Sequence, residues 1–276
     1  MPSVPLTSSD TFAANRARGT VTFDVAVVEG KTRRRELHES GSLRVRFPSA
    51  EGEALSAVFI NTAGGIAGGD HFSVHIGAGE GASLTATTAA AEKVYRSHGP
   101  DSRIDVVLKV GQGAHLAWLP QETILFDGAC AQRTIDINLD ATASLVLCEI
   151  VVFGRAAMGE MLKQGSFVDR WRVRRGGKLV FAETVRLDGD IAATLARSAV
   201  AKGGAAIGTA LIVPGDEALA ERIRAASGSF SGEVGISAWN GFAMVRVCAQ
   251  NASQARADMM IALRAANVAL PRLWMG

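Results

Sequence analysis

A mostly β protein, built of layered or solenoid-like stacked strands and hairpins with two helices in its C-terminal quarter, is the fold class this sequence predicts. Three observations carry the expectation. From Thr20 onward the apolar residues recur with period two, not 3.6. Four strand openings of similar composition return about every thirty residues, the mark of a repeating unit. Helix caps with helical spacing behind them appear only in the last quarter.

In chain order, residues 1–19 are polar and small and read as a flexible leader, with one domain over 20–276. Val21, Phe23, Val25 and Val27 then alternate with Thr20, Thr22, Asp24 and Ala26. Leu43, Val45 and Phe47 follow the same rule, as do Phe72, Val74 and Ile76, and then Ile104, Val106, Leu108 and Val110. Each is a strand with one buried face. Gly81-Ala82-Ser83-Leu84, Gly113-Ala114-His115-Leu116, Ala143-Ser144-Leu145 and Gly177-Lys178-Leu179 each open an apolar strand. Either the leucines mark stacked strand-turn units, or Gly-x-x-Leu is only a common way to start a strand. Trp239-Asn240-Gly241-Phe242 between apolar runs is a type I′ hairpin signal. Asp216 caps a helix to about Ala226, and Asn251, paired with Gln254, caps a second that stops before Pro271.

Bulk composition narrows the function classes. Of 276 residues 48% are apolar and 20% charged, enough for a sizeable core and too few charges for a disordered chain. Thirty glycines fit a turn-rich architecture. The net charge is +2 and the longest Lys/Arg run is Arg33-Arg34-Arg35, which argues against nucleic acid as main partner. Cys130, Cys148 and Cys248 form neither a Cys-x-x-Cys pair nor a disulfide framework, so a reduced cytoplasmic setting is the simplest expectation. No stretch approaches the roughly 18 apolar residues of a membrane span.

The most informative segment is Asn61-Thr62-Ala63-Gly64-Gly65-Ile66-Ala67-Gly68-Gly69-Asp70. A nucleotide-binding glycine loop enters a helix whose N-terminus faces the phosphates. This run enters a strand and brings no lysine or hydroxyl after it. A structural turn made by Gly64, Gly65, Gly68 and Gly69, placing Asp70 at the head of a strand, is the better expectation.

Two further acids sit in apolar company: Glu149 within Leu145-Val146-Leu147-Cys148-Glu149-Ile150-Val151-Val152-Phe153, and Glu183 within Leu179-Val180-Phe181-Ala182-Glu183-Thr184-Val185. Buried carboxylates need a partner, water or a metal. A salt bridge to one of the arginines and a polar cavity or metal path are both open. Strand alternation puts Cys148 and Glu149 on opposite faces, so they are not co-ligands. His71 and His75 share a strand face about 13 Å apart, too far for one metal, and no preformed zinc site is expected. Ser97-His98 lies beside Lys93, Tyr95 and Arg96 but has no orienting acid; no triad assembles, and the segment reads as surface or interface.

Five segments in order carry a resemblance: Gly64 to Asp70; Thr87-Thr88-Ala89-Ala90-Ala91-Glu92-Lys93-Val94-Tyr95-Arg96-Ser97; Trp118-Leu119-Pro120-Gln121-Glu122-Thr123-Ile124-Leu125-Phe126; Gly154-Arg155-Ala156-Ala157-Met158-Gly159-Glu160; and Leu270-Pro271-Arg272-Leu273-Trp274. Together they resemble the urease accessory protein UreD (UreH) family from about Val21 to Trp274. The resemblance implies a mostly β scaffold chaperone, not an enzyme. Such a chaperone binds the urease structural subunits and UreF, and through UreF the GTPase UreG. It implies no tightly bound cofactor and a transient passage of nickel through an internal tunnel with acidic residues along it. The positional matches for tunnel acids are Asp70, Glu149 and Glu183; Tyr95, Arg96, Arg155, Arg272 and Trp274 are expected at the fold's loops or a protein interface. A purely structural adaptor with no nickel path is the alternative, and a carbohydrate- or phosphate-processing enzyme built on paired carboxylates a more distant one.

Overall fold

A computed structural model describes residues 16–48 and 54–275. The strands in chain order are β1 (Arg18–Val28), β2 (Lys31–Gly41), β3 (Leu43–Arg46), β4 (Leu55–Asn61), β5 (His71–Ala78), β6 (Ser83–Thr88), β7 (Glu92–Val94), β8 (Ser102–Val110) and β9 (His115–Trp118). There follow β10 (Thr123–Leu125), β11 (Cys130–Leu139), β12 (Ser144–Phe153), β13 (Gln164–Arg175), β14 (Lys178–Asp190), β15 (Ala206–Val213), β16 (Glu233–Trp239) and β17 (Phe242–Ala249). The helices are α1 (Ile191–Ala196), α2 (Glu217–Arg224) and α3 (Ala252–Ala265). The leader expected over 1–19 lies outside the described residues as far as residue 15, while Arg18 and Gly19 already belong to β1.

Among the described residues the strands form two sheets. One runs β14-β13-β11-β8-β5-β1-β2; the other runs β16-β17-β15-β12-β9-β6-β4-β3, with β10 bridging β12 and β7. From β4 to β13 the longer strands come from the two sheets by turns, and neighbours within each sheet are parallel: β4 with β6, β6 with β9 and β9 with β12 in one, β5 with β8, β8 with β11 and β11 with β13 in the other. That is a solenoid, and the thirty-residue period is its coil length. Leu84, Leu116 and Leu145 stand in direct register, with Leu55 before Leu84 and Val213 after Leu145. Facing them across the core are the ladders Val21, Val74, Val106, Ile135 and Trp171, and Phe23, Ile76, Leu108, Ile137 and Val173. The three internal leucines are fully buried, each such side chain stabilising by about 1.5–3 kcal/mol.

The fourth repeat is not a coil. Gly176-Gly177 closes the antiparallel β13–β14 hairpin, and Leu179 pairs with Arg174 at an exposed edge. The solenoid ends there because the chain turns back within its own sheet.

β12 is buried on both faces, which explains an apolar run that only Glu149 interrupts. Leu145, Leu147, Val151 and Phe153 face the inter-sheet core, whereas Val146, Cys148, Ile150 and Val152 face a second core under the helices, with Ile223, Met259 and Leu263. Asp216 and Asn251 are the N-caps, accepting from Leu219 N at 2.8 Å and Gln254 N at 2.9 Å. The Asn240-Gly241 turn closes β16 on β17 with both residues in the left-handed region, as a type I′ turn requires. The short α1, capped by Asp190, lies ahead of the C-terminal quarter and adds a helix to the two expected there. No helix of the described residues is long and apolar enough to cross a membrane.

Candidate functional site

The glycine run is a turn held by its surroundings. Gly65 has φ +153°, and a Cβ there would lie 2.4 Å from the Tyr95 ring; at Gly68 it would lie 2.1 Å from Ser97 Oγ. Tyr95 Oη donates to Gly64 O at 2.7 Å, and Arg16 donates to Gly68 O at 2.8 Å. Asp70 is 4% exposed, and its two oxygens accept from Ala67 N at 2.7 Å and Ala17 N at 2.8 Å. The Asp70 carboxylate thus braces the turn and ties it to the start of β1. Ser97 serves a turn too, its hydroxyl within reach of Gly99 O and Pro100 O.

Beyond the turn a cavity of about 470 Å³ opens between the sheets. Along it the strands of the sheet that contains β12 are interrupted. β6 gives way to β7 across Ala89–Ala91, and β9 gives way to β10 across Leu119–Glu122, where Pro120 has no N–H for a ladder. Thr88 to Lys93, Pro120, Gln121, Phe59, Ile66 and Trp118 line it, and Arg133 and Glu149 stand at its inner end. A second, much smaller cavity of about 20 Å³ shares Glu149 with it, with room for about one water molecule. It is lined by Glu149, Asp169, Trp171, Glu183 and Thr209, among others. Glu149 lines both.

Where the two cavities adjoin, at the neck, lies a buried charged cluster. Arg133 Nε and Nη2 donate to the two oxygens of Asp169 at 3.0 and 2.6 Å, a bidentate pair. Its Nη1 donates to Glu149 Oε2 and, at 3.2 Å, to Thr123 Oγ1. Trp118 Nε1 donates to Glu149 at 2.9 Å and Trp171 Nε1 to Asp169 at 3.1 Å, while Phe167 stacks under the guanidinium at 5.7 Å. Burial pushes the Glu149 carboxyl up, against the pull of Arg133, and the Asp169 charge adds to the push. Burial also disfavours the charged guanidinium, but Asp169 and Glu149 outweigh it and hold its proton more firmly than usual. Of the readings open for Glu149, the salt bridge is present, and the same carboxylate also lines both cavities.

Glu183 stands at the far end of the small cavity, bonded to Arg246 at 2.8 Å. It is likewise ion-paired; the Arg246 side chain is half exposed, which places this end near the surface. Glu149 and Glu183 are thus brought to one cavity, and Asp70 is not. Among the described residues no three His, Cys, Asp or Glu side chains form a metal-holding group, and the three cysteines are free. Arg133 and Asp169 are the site residues that the sequence reading missed.

At the wide cavity's other end Glu92 accepts from Asn61 Nδ2 at 3.1 Å, and that amide also donates to Gly65 O at 3.0 Å. Burial pushes the Glu92 carboxyl from 4.5 up to about 7, the Asn61 hydrogen bond opposing it. Between those two values the unfolded chain has released the proton and the folded chain still holds it, so stability falls as pH rises through the window. Glu92→Gln removes this cost. Discounted for the side chain's partial exposure, the variant is expected to exceed the parent by about 1–2 kcal/mol above the window. The difference should vanish below it, read by urea unfolding at both pH values.

Of the expected interface residues, Arg96 pairs with Asp127 at 2.8 Å on an exposed surface. Tyr95 and Arg155 both pack on Phe126, the first edge-on at 5.1 Å and the second over its face at 4.1 Å. Arg155 also holds Glu160 bidentately, at 2.6 and 3.0 Å. Arg272 is exposed. Trp274, by contrast, is 1% exposed and donates to Leu119 O at 2.9 Å, its indole forming part of the second core.

Comparison with known proteins agrees with the resemblance. Residues 17–275 match the UreD urease accessory protein family. The urease accessory protein UreD of Bradyrhizobium diazoefficiens is 71% identical over 268 residues, 97% of either chain. That of Rhodopseudomonas palustris strain BisA53 is 69% identical over 270 residues, 98% of this chain and 94% of its own. With nearly its whole length matched at this identity, the chain belongs to the UreD urease accessory protein family.

Proposed function

We propose that this chain is a cytoplasmic scaffold chaperone of urease maturation. It binds the urease structural subunits and UreF, and through UreF the GTPase UreG, and supports nickel insertion into apo-urease. Nickel is cargo in this reading: it enters the wide cavity, passes Glu149 and leaves past Glu183. The observation that carries it is the Glu149 carboxylate shared by two successive cavities, with Asp169 and Glu183 next along the line. Oxygen donors without a full histidine or cysteine cage suit an ion that must be released again.

One observation favours the rival reading, an adaptor with no path: Arg133 fills the neck. The double variant Glu149→Gln/Glu183→Gln separates them, since amides keep the shape and lose the charge. On the passage reading, nickel-dependent urease activation falls about tenfold or more, a barrier increase of roughly 1.4 kcal/mol. Co-purification with urease subunits and UreF should remain intact. Full activation by an assembled complex containing the variant would leave only the adaptor.

A further inference from the structure

Resting on the passage reading, we infer that Arg133 is the gate of that passage, a positioning residue that closes it until its guanidinium swings off Glu149. The guanidinium stands with Glu149 between the two cavities: it lines the wide one, and both of the carboxylates it binds line the small one. Closure is steric and electrostatic at once. The small cavity beyond holds about one water, so an ion with a full hydration shell does not fit there beside the side chain. A divalent cation approaching from the wide cavity meets the guanidinium beside Glu149 and in front of Asp169, and within the buried cluster that repulsion is little screened.

The attachments are unequal, which gives the gate a hinge side. Asp169 holds Nε and Nη2 in a planar fork, and Asp169 is the direct cross-strand neighbour of Arg133. Nη1 alone reaches across the inter-sheet space to Glu149 and Thr123, which belong to the other sheet. A small separation of the sheets therefore breaks the Nη1 contacts first, freeing Glu149 to meet the ion while Asp169 keeps the arginine.

Trp118 and Trp171 are built-in reporters, since the first lines the wide cavity and the second the small one. The test uses the full chain with Trp118, Trp239 and Trp274 changed to Phe, leaving Trp171, and follows its fluorescence as Ni²⁺ is added. With Arg133 present, quenching is expected to be weak. Arg133→Gln is expected to raise quenching at a given Ni²⁺ concentration at least severalfold. Should Arg133→Gln fail to fold, Arg133→Gln/Glu149→Gln keeps the cluster's charge sum, removes the guanidinium, and is expected to give the same rise. Equal quenching with and without Arg133, in folded protein judged by near-ultraviolet circular dichroism, would overturn the gate. That result is independent of the activation assay on Glu149→Gln/Glu183→Gln, which tests the passage itself.

Discussion

Arg133→Met is expected to lower the unfolding free energy by about 3–5 kcal/mol, the cost of breaking a buried ion pair by removing one partner. Two carboxylates would be left facing each other across an apolar core with only tryptophan and threonine donors to hold them. That is a large share of a typical stability of about 5–15 kcal/mol. The origin of the loss can be isolated. Arg133→Met/Glu149→Gln/Asp169→Asn removes all three charges, yet Trp118 and Trp171 still find side-chain carbonyls to donate to. If stranded charge is the cost, this triple variant should recover more than half of the loss, because a neutral, hydrogen-bonded cluster has far less desolvation to offset. Urea midpoints at constant m-value measure both steps. A triple variant no better than Arg133→Met would mean that the guanidinium's packing on Phe167, and not its charge, sets the cost. The cluster would then be a poor candidate for any ionic role.

The cluster was half legible in the sequence. Glu149 interrupts a long apolar run, and Glu183 a shorter one, so both announce themselves as acids in apolar company. Arg133 and Asp169 do not interrupt a run; they sit in alternating strands where charged residues are ordinary. What marks them is phase. Arg133 is in step with Ile135 and Ile137, and Asp169 with Phe167, Trp171 and Val173, so both fall on the inward parity. Parity shows that a charge points inward, but only the strand register shows that Arg133 and Asp169 stand side by side. Register between solenoid coils is set by the stacking of apolar ladders, not by any local motif.

The same limit applies to the fold. Period-two strands, both late helix caps and the Asn240-Gly241 hairpin are local properties and could be read directly. The thirty-residue spacing of leucines was visible as well. Its failure at Leu179 was not, because Gly177-Lys178-Leu179 has the composition of a coil opening and forms a hairpin instead. Asp258 was equally silent: a carboxylate on α3 with no exposure, it accepts from Ser231 N at 2.8 Å and Gly232 N at 2.7 Å. No spacing in the sequence pairs it with that loop, twenty-six residues upstream.

Asp70→Ala is expected to cost about 2–4 kcal/mol, since it strands two backbone N–H donors that now bond a carboxylate. One is Ala67 N, inside the turn; the other is Ala17 N, immediately before β1. The loss should therefore have a local signature: faster amide exchange at both ends, at Ala17 and Ala67, before any global unfolding. Asp70→Asn retains one acceptor and turns an NH₂ toward the other donor, so about half the loss should remain. The functional outcome separates Asp70 from the acids at the neck. A brace acts through stability, so Asp70→Asn assayed well below its melting temperature should activate urease as the parent does. Glu149→Gln/Glu183→Gln should not, at any temperature. A strong activation defect in a folded, assembled Asp70→Asn complex would return this carboxylate to the nickel path. The glycine run would then frame a ligand after all, instead of clamping the start of the solenoid.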